Sequence, residues 1–319
     1  MKGKKIKLLY LIILLLFLAS SSTRGHAETM VVTSFDDIQQ IIDDADPYST
    51  LIFEEGEYNQ RFEITKPLKI LGKDANKTII DMSTEKNKPI ITISSPNVSI
   101  SNITIKNTGP GLYASGIRII GKETTLNNCK FLDTPIGVSI WSDSNIINNC
   151  LFINCSDEGI VLLSTILSTA NNNLIENCTF ENNCDGIELQ QSCNNTIKFC
   201  ILNNNYHSGI DGISNNNNYN LILNCTITNN SVHGIYLTNS HDNLIKNCVF
   251  YNNTDGNIIT PRSNNTTVQN NIFEEYFIID DYSSDISDNT IDKTREKNHV
   301  MIDVIINFVK QISNFFSNI

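Results

Sequence analysis

The chain has 319 residues, and its 34 acidic side chains outnumber the 23 basic ones, so that the formal net charge at pH 7 is −11. This acidic balance argues against nucleic acid as a partner, because phosphates require basic surfaces, and against tight binding to anionic lipid. Cationic ligands or neutral glycans are the partners that such a surface accepts most easily.

The first segment, residues 1–27, has the pattern of a secretory signal peptide. Lysines precede an apolar run from Leu8 to Leu18, and small residues follow at Gly25 and Ala27. The run is too short for a comfortable membrane span. We expect cleavage after Ala27, with an uncleaved anchor as the alternative, and we predict a secreted or cell-surface protein on the periplasmic side or outside the cell.

An amphipathic helix is predicted directly after this segment. Ser34 and Asp37 have the spacing of a capping box. The apolar residues of one helical face follow at Phe35, Ile38, Ile41, Ile42 and Ala45. We expect this helix to cover the open end of a stack of strands, because exposed strand edges invite pairing with other chains.

The rest of the chain repeats with a period in the low twenties. Six cysteines occupy the same place in short motifs such as KNCVF, and Ile103 and Asn271 fill that place at either end of the series: Cys129, Cys150, Cys178, Cys200, Cys225, Cys248. Such a period is typical of repeat architectures in which each unit buries its apolar face against its neighbours.

Two apolar columns hold the same register. The residue two places after the cysteine position is apolar in all eight units, from Ile105 to Phe273, and so is the residue three places before it, from Ile100 to Val268. The alternation predicts inward-facing positions on short strands. Asparagine directly precedes the cysteine position except at Phe199, which predicts a left-handed bend repeated in every coil.

A glycine comes eight or nine places after most of the cysteines, and in all but the last case an apolar residue follows it: Gly137, Gly159, Gly186, Gly209, Gly234 and Gly256. We expect this glycine to serve a turn that needs positive φ, with a third short strand after it. Three short parallel strands per coil predict an all-β fold, a parallel β-helix with coils about 4.8 Å apart.

The motif HGIYLTNSHDNLIKNCVFYNN, residues 233–253, resembles the right-handed parallel β-helix repeat family of pectate-lyase-like and NosD-like proteins. The resemblance extends from about residue 34 to residue 275 and implies a β-helix domain over residues 28–290. Residues 291–319 place apolar side chains at helical spacing. They are predicted to form an amphipathic helix or tail, either a second cap or a helix for a membrane surface or a partner.

The column cysteines are predicted to be reduced thiols that act as small apolar fillers, with disulfides or a buried soft-metal track as alternatives. Cys155, Cys184 and Cys193 lie off the column, and their state stays open. The chain has no Cys-x-x-Cys spacing, which weakens the case for a zinc or redox site.

Function is expected on an outward-facing row of side chains that follow the glycines, namely Arg118, Ser139, Val161, Glu188, Asp211 and Tyr236. Acids and histidines gather next to it, and this convergence gives the candidate catalytic residues Asp185, Glu188, His207, Asp211, His233 and Tyr236. Trp141 and Asp255 are candidate ligand-binding residues. No set of metal ligands is assigned. A divalent cation such as Ca²⁺ is the one candidate cofactor, and a purely polar turn surface is the alternative to any site.

Catalytic motifs of enzymes with this fold are missing. The Asp-Pro-His-Asp motif of mannuronan epimerases has no match, and the polygalacturonase pattern is present only as a fragment at His233. We therefore predict an exported, non-catalytic protein that binds extended glycans or forms part of the cell envelope. The alternatives are a polysaccharide lyase, hydrolase or epimerase acting on uronic-acid polymers, and a NosD-like protein of copper-site maturation. Membrane contact is expected only through the signal segment or the C-terminal helix.

Overall fold

The computed structural model describes residues 26–292, except for residues 83–86, 110, 112–113, 275–277 and 281–284. The predicted signal segment before residue 26 and the predicted C-terminal helix lie outside the described residues, so both stay predictions. Among the described residues, three parallel sheets run side by side along a solenoid, and the chain passes through them in turn. The prediction of an all-β parallel β-helix is confirmed.

Each coil contributes one strand to each sheet. Sheet 1 has 12 strands, Thr29–Val32, Thr50–Phe53, Lys69–Gly72, Ser99–Ser101, Thr125–Asn127, Ile146–Asn148, Leu174–Glu176, Thr196–Lys198, Leu221–Leu223, Leu244–Lys246, Thr267–Gln269 and Asp285–Ser287. Sheet 2 has 11 strands, Gly56–Tyr58, Thr78–Asp81, Thr104–Lys106, Lys130–Leu132, Leu151–Ile153, Thr179–Glu181, Ile201–Asn203, Thr226–Thr228, Val249–Tyr251, Ile272–Phe273 and Thr290–Ile291. Sheet 3 has 10 strands, Phe62–Ile64, Ile91–Ile93, Ser115–Ile119, Ile136–Ile140, Glu158–Leu163, Asp185–Gln190, Ile210–Gly212, His233–Leu237, Gly256–Thr260 and Ile278–Asp280.

The strand register confirms the apolar columns read from the sequence. In sheet 2, Phe131 pairs with Phe152 and Phe152 with Phe180, and all three side chains are fully buried. Their rings stack with centroids 4.8 Å apart and planes within 5°. Because the coils are spaced at the distance of neighbouring strands, identical residues in one column meet face to face and form a continuous core.

The N-terminal helix spans Ile38–Asp44, and Ile38 and Ile42 are buried in the core as predicted. The predicted capping box is wrong, because the helix begins one turn later. Asp37 is the N-cap and accepts a hydrogen bond from Gln40 N. Phe35 precedes the helix and is 97% exposed, so it does not belong to the buried face.

The helix also protects the first strand of sheet 3. The amide of Gln39 donates to the carbonyl oxygen of Glu63 at 3.2 Å and accepts from the N–H of Glu63 at 2.8 Å. One side chain thereby replaces the missing neighbouring strand. This satisfies backbone groups that would otherwise be open to pairing with another chain, which confirms the predicted covering role.

The bends between sheets 1 and 2 adopt the left-handed conformation that the asparagines predicted. Asn102, Asn128, Asn149 and their equivalents have φ between 52° and 59°. Phe199 occupies the same bend with φ 55° and is 53% exposed. For a residue that has a Cβ and no side chain able to hydrogen-bond locally, the left-handed conformation is less stable by roughly 1 to 2 kcal/mol.

Phe199→Asn is expected to raise the free energy of unfolding by about 1 kcal/mol, because asparagine tolerates the left-handed bend. The change removes the contact in which Lys198 Nζ lies 5.9 Å from the ring centroid, an exposed interaction of small value. Urea denaturation measures the difference. The matched reverse change one coil earlier, Asn177→Phe, should lower the free energy of unfolding by a similar amount. Equal stability of wild type and both variants would contradict backbone strain at Phe199.

The role predicted for the repeated glycines is wrong in most coils. Of the six column glycines, only Gly256 has positive φ, at 142°. A Cβ added at Gly159 would lie 2.7 Å from the carbonyl oxygen of Gly186 and 2.7 Å from Cδ1 of Phe180. The glycine is therefore required by the close approach of the next coil and of the stacked phenylalanines, and not by the backbone conformation.

Two buried ladders contain nine of the asparagines and were not predicted. One stands before sheet 1 and the other between sheets 2 and 3. In each ladder, a side-chain oxygen accepts the backbone N–H of the asparagine one coil earlier, at 2.8 to 3.2 Å. The ladder residues are Asn145, Asn173, Asn195, Asn220 and Asn243, then Asn183, Asn205, Asn230 and Asn253. They satisfy turn N–H groups that the sheets leave unpaired.

The cysteine column is buried as predicted, with exposures between 0 and 3%. No two cysteines are bonded to each other in the described part of the chain. Thiols in the column approach backbone carbonyl oxygens, as Cys178 does to Glu176 O at 3.2 Å. Of the three cysteines off the column, Cys155 is buried, and Cys184 and Cys193 are half-buried.

Candidate functional site

The predicted outward row lies on sheet 3 as expected. Strand pairing places Arg118 beside Ser139, Ser139 beside Val161, Val161 beside Glu188, Glu188 beside Asp211, and Asp211 beside Tyr236. Neighbouring strands lie about 4.8 Å apart, so the row extends over roughly 24 Å.

This face is recessed, unlike the outer faces of sheets 1 and 2. The outward side chains Ser139, Val161, Glu188 and Asp211 are only 2 to 6% exposed. Strands of sheet 2 such as Thr179–Glu181 instead alternate between half-buried outward positions and a buried inward one. Polar groups are rarely buried without a functional or pairing reason, so the outer face of sheet 3 is the candidate functional site.

His207 brings two aspartates of adjacent coils together. Its Nδ1 lies 2.9 Å from Asp185 Oδ1 and 3.3 Å from Asp211 Oδ2. Asp185 Oδ1 also accepts the backbone N–H of Ser208 at 2.8 Å. The His207 side chain is 39% exposed, whereas those of Asp185 and Asp211 are 11% and 3% exposed, so the histidine closes the cluster on its solvent side.

The pKa values of these carboxyls are shifted by burial. Desolvation raises the pKa of Asp185, and the nearby His207 partly offsets the shift. Burial and the negative charge of Asp185 raise the pKa of Asp211 to about 7. Burial, together with the charge of His207, lowers the pKa of His233. Perturbed titration in a recess is typical of functional sites, although structural networks produce it as well.

Glu158 and Glu188 form a carboxyl pair, two coils and one coil before Asp211 respectively. Burial, reinforced by the hydrogen bond and charge of Glu188, raises the pKa of Glu158 to about 11. Gln190 donates to Glu188 Oε1 at 2.5 Å. The pKa of Glu158 therefore lies well above neutral pH, which favours the protonated form of this carboxyl in the folded protein. Glu158 was not predicted as a site residue, although it directly precedes a column glycine as Asp185 does.

Glu158→Gln is expected to make stability less dependent on pH. The folded protein keeps the Glu158 proton between its ordinary pKa of 4.5 and about 11, while the unfolded chain releases it. The folded state binds more protons in this window, so the free energy of unfolding falls as pH rises. Glutamine cannot ionise and should stabilise the protein at about pH 8 by roughly 1 to 3 kcal/mol.

Urea denaturation between about pH 5 and about pH 9 measures this dependence. The matched control is Glu57→Gln, at an exposed glutamate on the outer face of sheet 2. An unchanged pH dependence in Glu158→Gln would contradict the raised pKa of Glu158 in the folded protein.

The remaining predicted site residues border the His207 cluster. The rings of His233 and Tyr236 stack with centroids 4.9 Å apart, and His233 lies 6.1 Å from His207. Asp255 is exposed one coil further on and acts on His233 through its charge. The structure thus brings His207, Asp185 and Asp211 into contact, places His233 and Tyr236 beside them, and leaves Asp255 at the rim.

Trp141 lies at the other end of the row, where it is half-buried. Its ring is 5.0 Å from the guanidinium carbon of Arg118, and its Nε1 donates to Ser139 Oγ at 2.6 Å. The cation–π contact and the hydrogen bond hold the ring against the row. The ring is therefore held in place but stays partly accessible to solvent.

Two surface cavities of about 420 and 400 Å³ lie away from the acidic cluster. The first is lined by polar side chains at the turn between sheets 2 and 3, including Asn107, Asp133 and Asn154. The second contains Glu63 and Thr92, which continue the outward row of sheet 3 beyond Arg118. We place the site at the cluster rather than in these cavities because the buried titratable groups converge there.

Comparison with known proteins gives matches to two family models. Residues 89–220 match the model described as right handed beta helix region, and residues 163–304 match the model described as periplasmic copper-binding protein (NosD). No curated protein matches the chain significantly. Among the described residues, no helix is both long and apolar enough to cross a membrane.

Several solved structures share the fold at low sequence identity. ORF18 of Geobacillus virus E2 is 15% identical to this chain, and the two align with a TM-score of 0.58. The alignment covers 82% of this chain and 60% of ORF18. The mannuronan C-5 epimerase AlgE4 A-module of Azotobacter vinelandii is 13% identical with a TM-score of 0.59, over 80% of this chain and 91% of its own. Pectate lyase Pel9A is 12% identical with a TM-score of 0.58, over 84% of this chain and 81% of its own.

These findings agree with the strand topology. The protein is a parallel β-solenoid, and it shares this fold with the epimerase module and the pectate lyase. More particularly, the chain is a right-handed parallel β-helix repeat protein with pectate-lyase-like and NosD-like repeats, which confirms the resemblance read from the sequence. One scaffold of this kind carries many activities, so function has to be argued from the site.

Proposed function

We propose that this protein binds an extended glycan along the recessed outer face of sheet 3. The observation that carries the proposal is the burial of a polar outward row over several coils, with Trp141 at one end and Tyr236 at the other. Regularly spaced polar groups beside aromatic rings suit a polymer of repeating sugar units, because sugars combine hydroxyl groups with apolar faces.

The charge of the row favours a glycan that is largely neutral. In the described part of the outward row, the one basic side chain is Arg118, whereas Glu188 and Asp211 lie at its centre. A polyuronate would place carboxylates against these acids and be repelled. An isolated acidic sugar fits only at the Arg118 end. The binding face therefore accepts an acidic sugar unit at one end and neutral units elsewhere.

Acid–base catalysis on the bound glycan is the second candidate function. The protonated Glu158 lies beside Glu188 in the recess, and a carboxyl that keeps its proton at neutral pH can act as a general acid. The epimerase and the pectate lyase share only the fold with this chain, and the Asp-Pro-His-Asp motif of mannuronan epimerases does not occur in this sequence. Catalysis by this carboxyl pair, or by the predicted residues around His207, is therefore tested separately from binding.

The proposed place of action is outside the cytoplasm, in the cell envelope or beyond. The signal pattern of residues 1–27 supports export, and the NosD model is described as periplasmic. Amino-terminal sequencing of the protein recovered from its native cells tests the proposed cleavage after Ala27. Recovery of an intact amino terminus in the cytoplasmic fraction would contradict export.

Binding is tested with the mature chain against a panel of neutral and uronic-acid oligosaccharides, using isothermal titration calorimetry. Trp141→Ala is expected to weaken binding by about tenfold, the equivalent of one lost aromatic contact. Phe35→Ala removes an exposed aromatic ring away from sheet 3 and should leave affinity unchanged. The proposal fails if no glycan binds, or if both variants lose affinity equally.

Catalysis is tested on the same glycans by following new reducing ends and unsaturated products. Turnover that disappears in Glu188→Gln but persists in Glu57→Gln would support catalysis by the carboxyl pair. Unchanged glycans with intact binding would leave a non-catalytic binder, as the sequence analysis predicted.

A further inference from the structure

We infer that Asp185, His207 and Asp211 bind one divalent first-row transition-metal ion through one ring nitrogen and carboxylate oxygens. One donor atom from each residue lies within 4.8 Å of the others. The nitrogen of His207 faces both aspartates at 2.9 and 3.3 Å. Because such ions hold their ligands at about 2.0 to 2.2 Å, small side-chain rotations bring all three donors onto one ion.

A second observation points to an ion at this position. The Asp211 side chain is only 3% exposed, yet its Oδ1 has no hydrogen-bond partner. A buried carboxylate oxygen without a hydrogen-bond partner destabilises the folded state. The contact of His207 with Asp211 Oδ2 leaves Oδ1 unsatisfied. A cation bound by this carboxylate removes the cost.

The surrounding charges strengthen the case for a cation. Glu188 is the direct row neighbour of Asp211, and Asp185 lies on the same strand as Glu188. Within the described residues, His207 is the one ion-pair partner of Asp185 and Asp211. A divalent ion would balance the two aspartates in full.

The donor set selects the class of ion. Calcium takes oxygen ligands almost exclusively, so the histidine disfavours the Ca²⁺ that the sequence analysis considered. Cuprous copper prefers sulfur ligands, and the three donors contain none. The residues therefore fit divalent ions such as Zn²⁺, Co²⁺ or Cu²⁺ and do not fit Cu⁺, which limits what similarity to a copper-binding family implies here.

The site is open on one side. His207 is the most exposed of the three ligands, so an ion can enter from solvent. Three protein donors leave at least one coordination position for water or a ligand oxygen. The inference does not depend on glycan binding, and it holds or fails separately from the proposed function.

The test uses the mature chain, stripped with a chelator and titrated with Co²⁺, Zn²⁺ and Ca²⁺. Calorimetry is expected to find one Zn²⁺ per chain and at least tenfold weaker Ca²⁺ binding. Co²⁺ should produce visible d–d absorption bands without a thiolate charge-transfer band. Asp211→Asn and His207→Gln should each weaken Zn²⁺ binding by at least tenfold, and Glu57→Gln, at an exposed acid on the outer face of sheet 2, should leave it unchanged.

Circular dichroism and thermal melts of the metal-free variants show whether each one folds. If Asp211→Asn does not fold, the comparison rests on His207→Gln. The inference is overturned if folded wild-type protein binds no Zn²⁺, if both variants bind it as tightly as wild type, or if Ca²⁺ binds equally well. A thiolate band that disappears in Cys184→Ser would also overturn it, because the half-buried thiol beside Asp185 would then be a ligand.

Discussion

Replacing Phe152 by alanine is expected to lower the free energy of unfolding by about 3 to 5 kcal/mol. Phe152 is fully buried and stacks on both Phe131 and Phe180, with centroids 4.8 Å apart on each side. The variant loses the buried ring and leaves a cavity between two rings that neighbouring coils hold in place. Chemical denaturation followed by circular dichroism measures the loss, with an apparent melting temperature lower by roughly 10 °C.

Two variants set the scale for this result. Phe152→Leu keeps most of the apolar volume and should cost about 1.5 kcal/mol. Phe35→Ala removes a ring that is 97% exposed and should change stability by less than about 0.5 kcal/mol. If Phe152→Ala costs no more than Phe35→Ala, the stacked column is not part of the folding core.

Gly159→Ala is expected to destabilise the protein by about 3 kcal/mol, although it adds a single methyl group. The new Cβ would lie 2.7 Å from the carbonyl oxygen of Gly186 and 2.7 Å from a ring carbon of Phe180. One obstacle is backbone of the next coil and the other is a stacked ring, so neither can move without disturbing its own neighbours. Urea denaturation measures the change.

Gly56→Ala is the matched control, because a Cβ there would meet only the Ser34 side chain at 3.5 Å, an ordinary contact. Alanine reduces the freedom of the unfolded chain, so this variant should be neutral or more stable by up to about 1 kcal/mol. A similar destabilisation in both variants would favour a general intolerance of strand glycines to substitution over a close approach between coils.

The repeat frame could be predicted because its evidence is local. An inward strand position such as Phe152 is recognised from alternation within a few residues, and the same alternation recurs in every coil. The outward row from Arg118 to Tyr236 followed from that frame, since one inward column fixes which neighbouring side chains face out. The bend asparagines were predicted for the same reason, and Phe199 keeps the bend despite its unsuitable side chain.

The reasons for several residues were not local and were misread or missed. The column glycines look like turn residues in sequence, but what excludes a side chain at Gly159 is an atom of the next coil, 27 residues further along the chain at Gly186. The buried ladder through Asn183 and Asn205 likewise connects coils. The start of the first helix shifted by one turn because Asp36 contacts Thr33 and leaves Asp37 as the cap.

The sequence by itself determined the β-helix, its inward columns and the face on which acids and histidines gather, because strand alternation and repeat spacing are properties of short segments. Only the tertiary structure decided which of these groups meet. His207 bridges Asp185 and Asp211, and burial near Glu188 raises the pKa of Glu158, because strand pairing between coils brings these side chains into one recess. Burial in that recess removes the water that would otherwise screen the charges, so their interactions become strong.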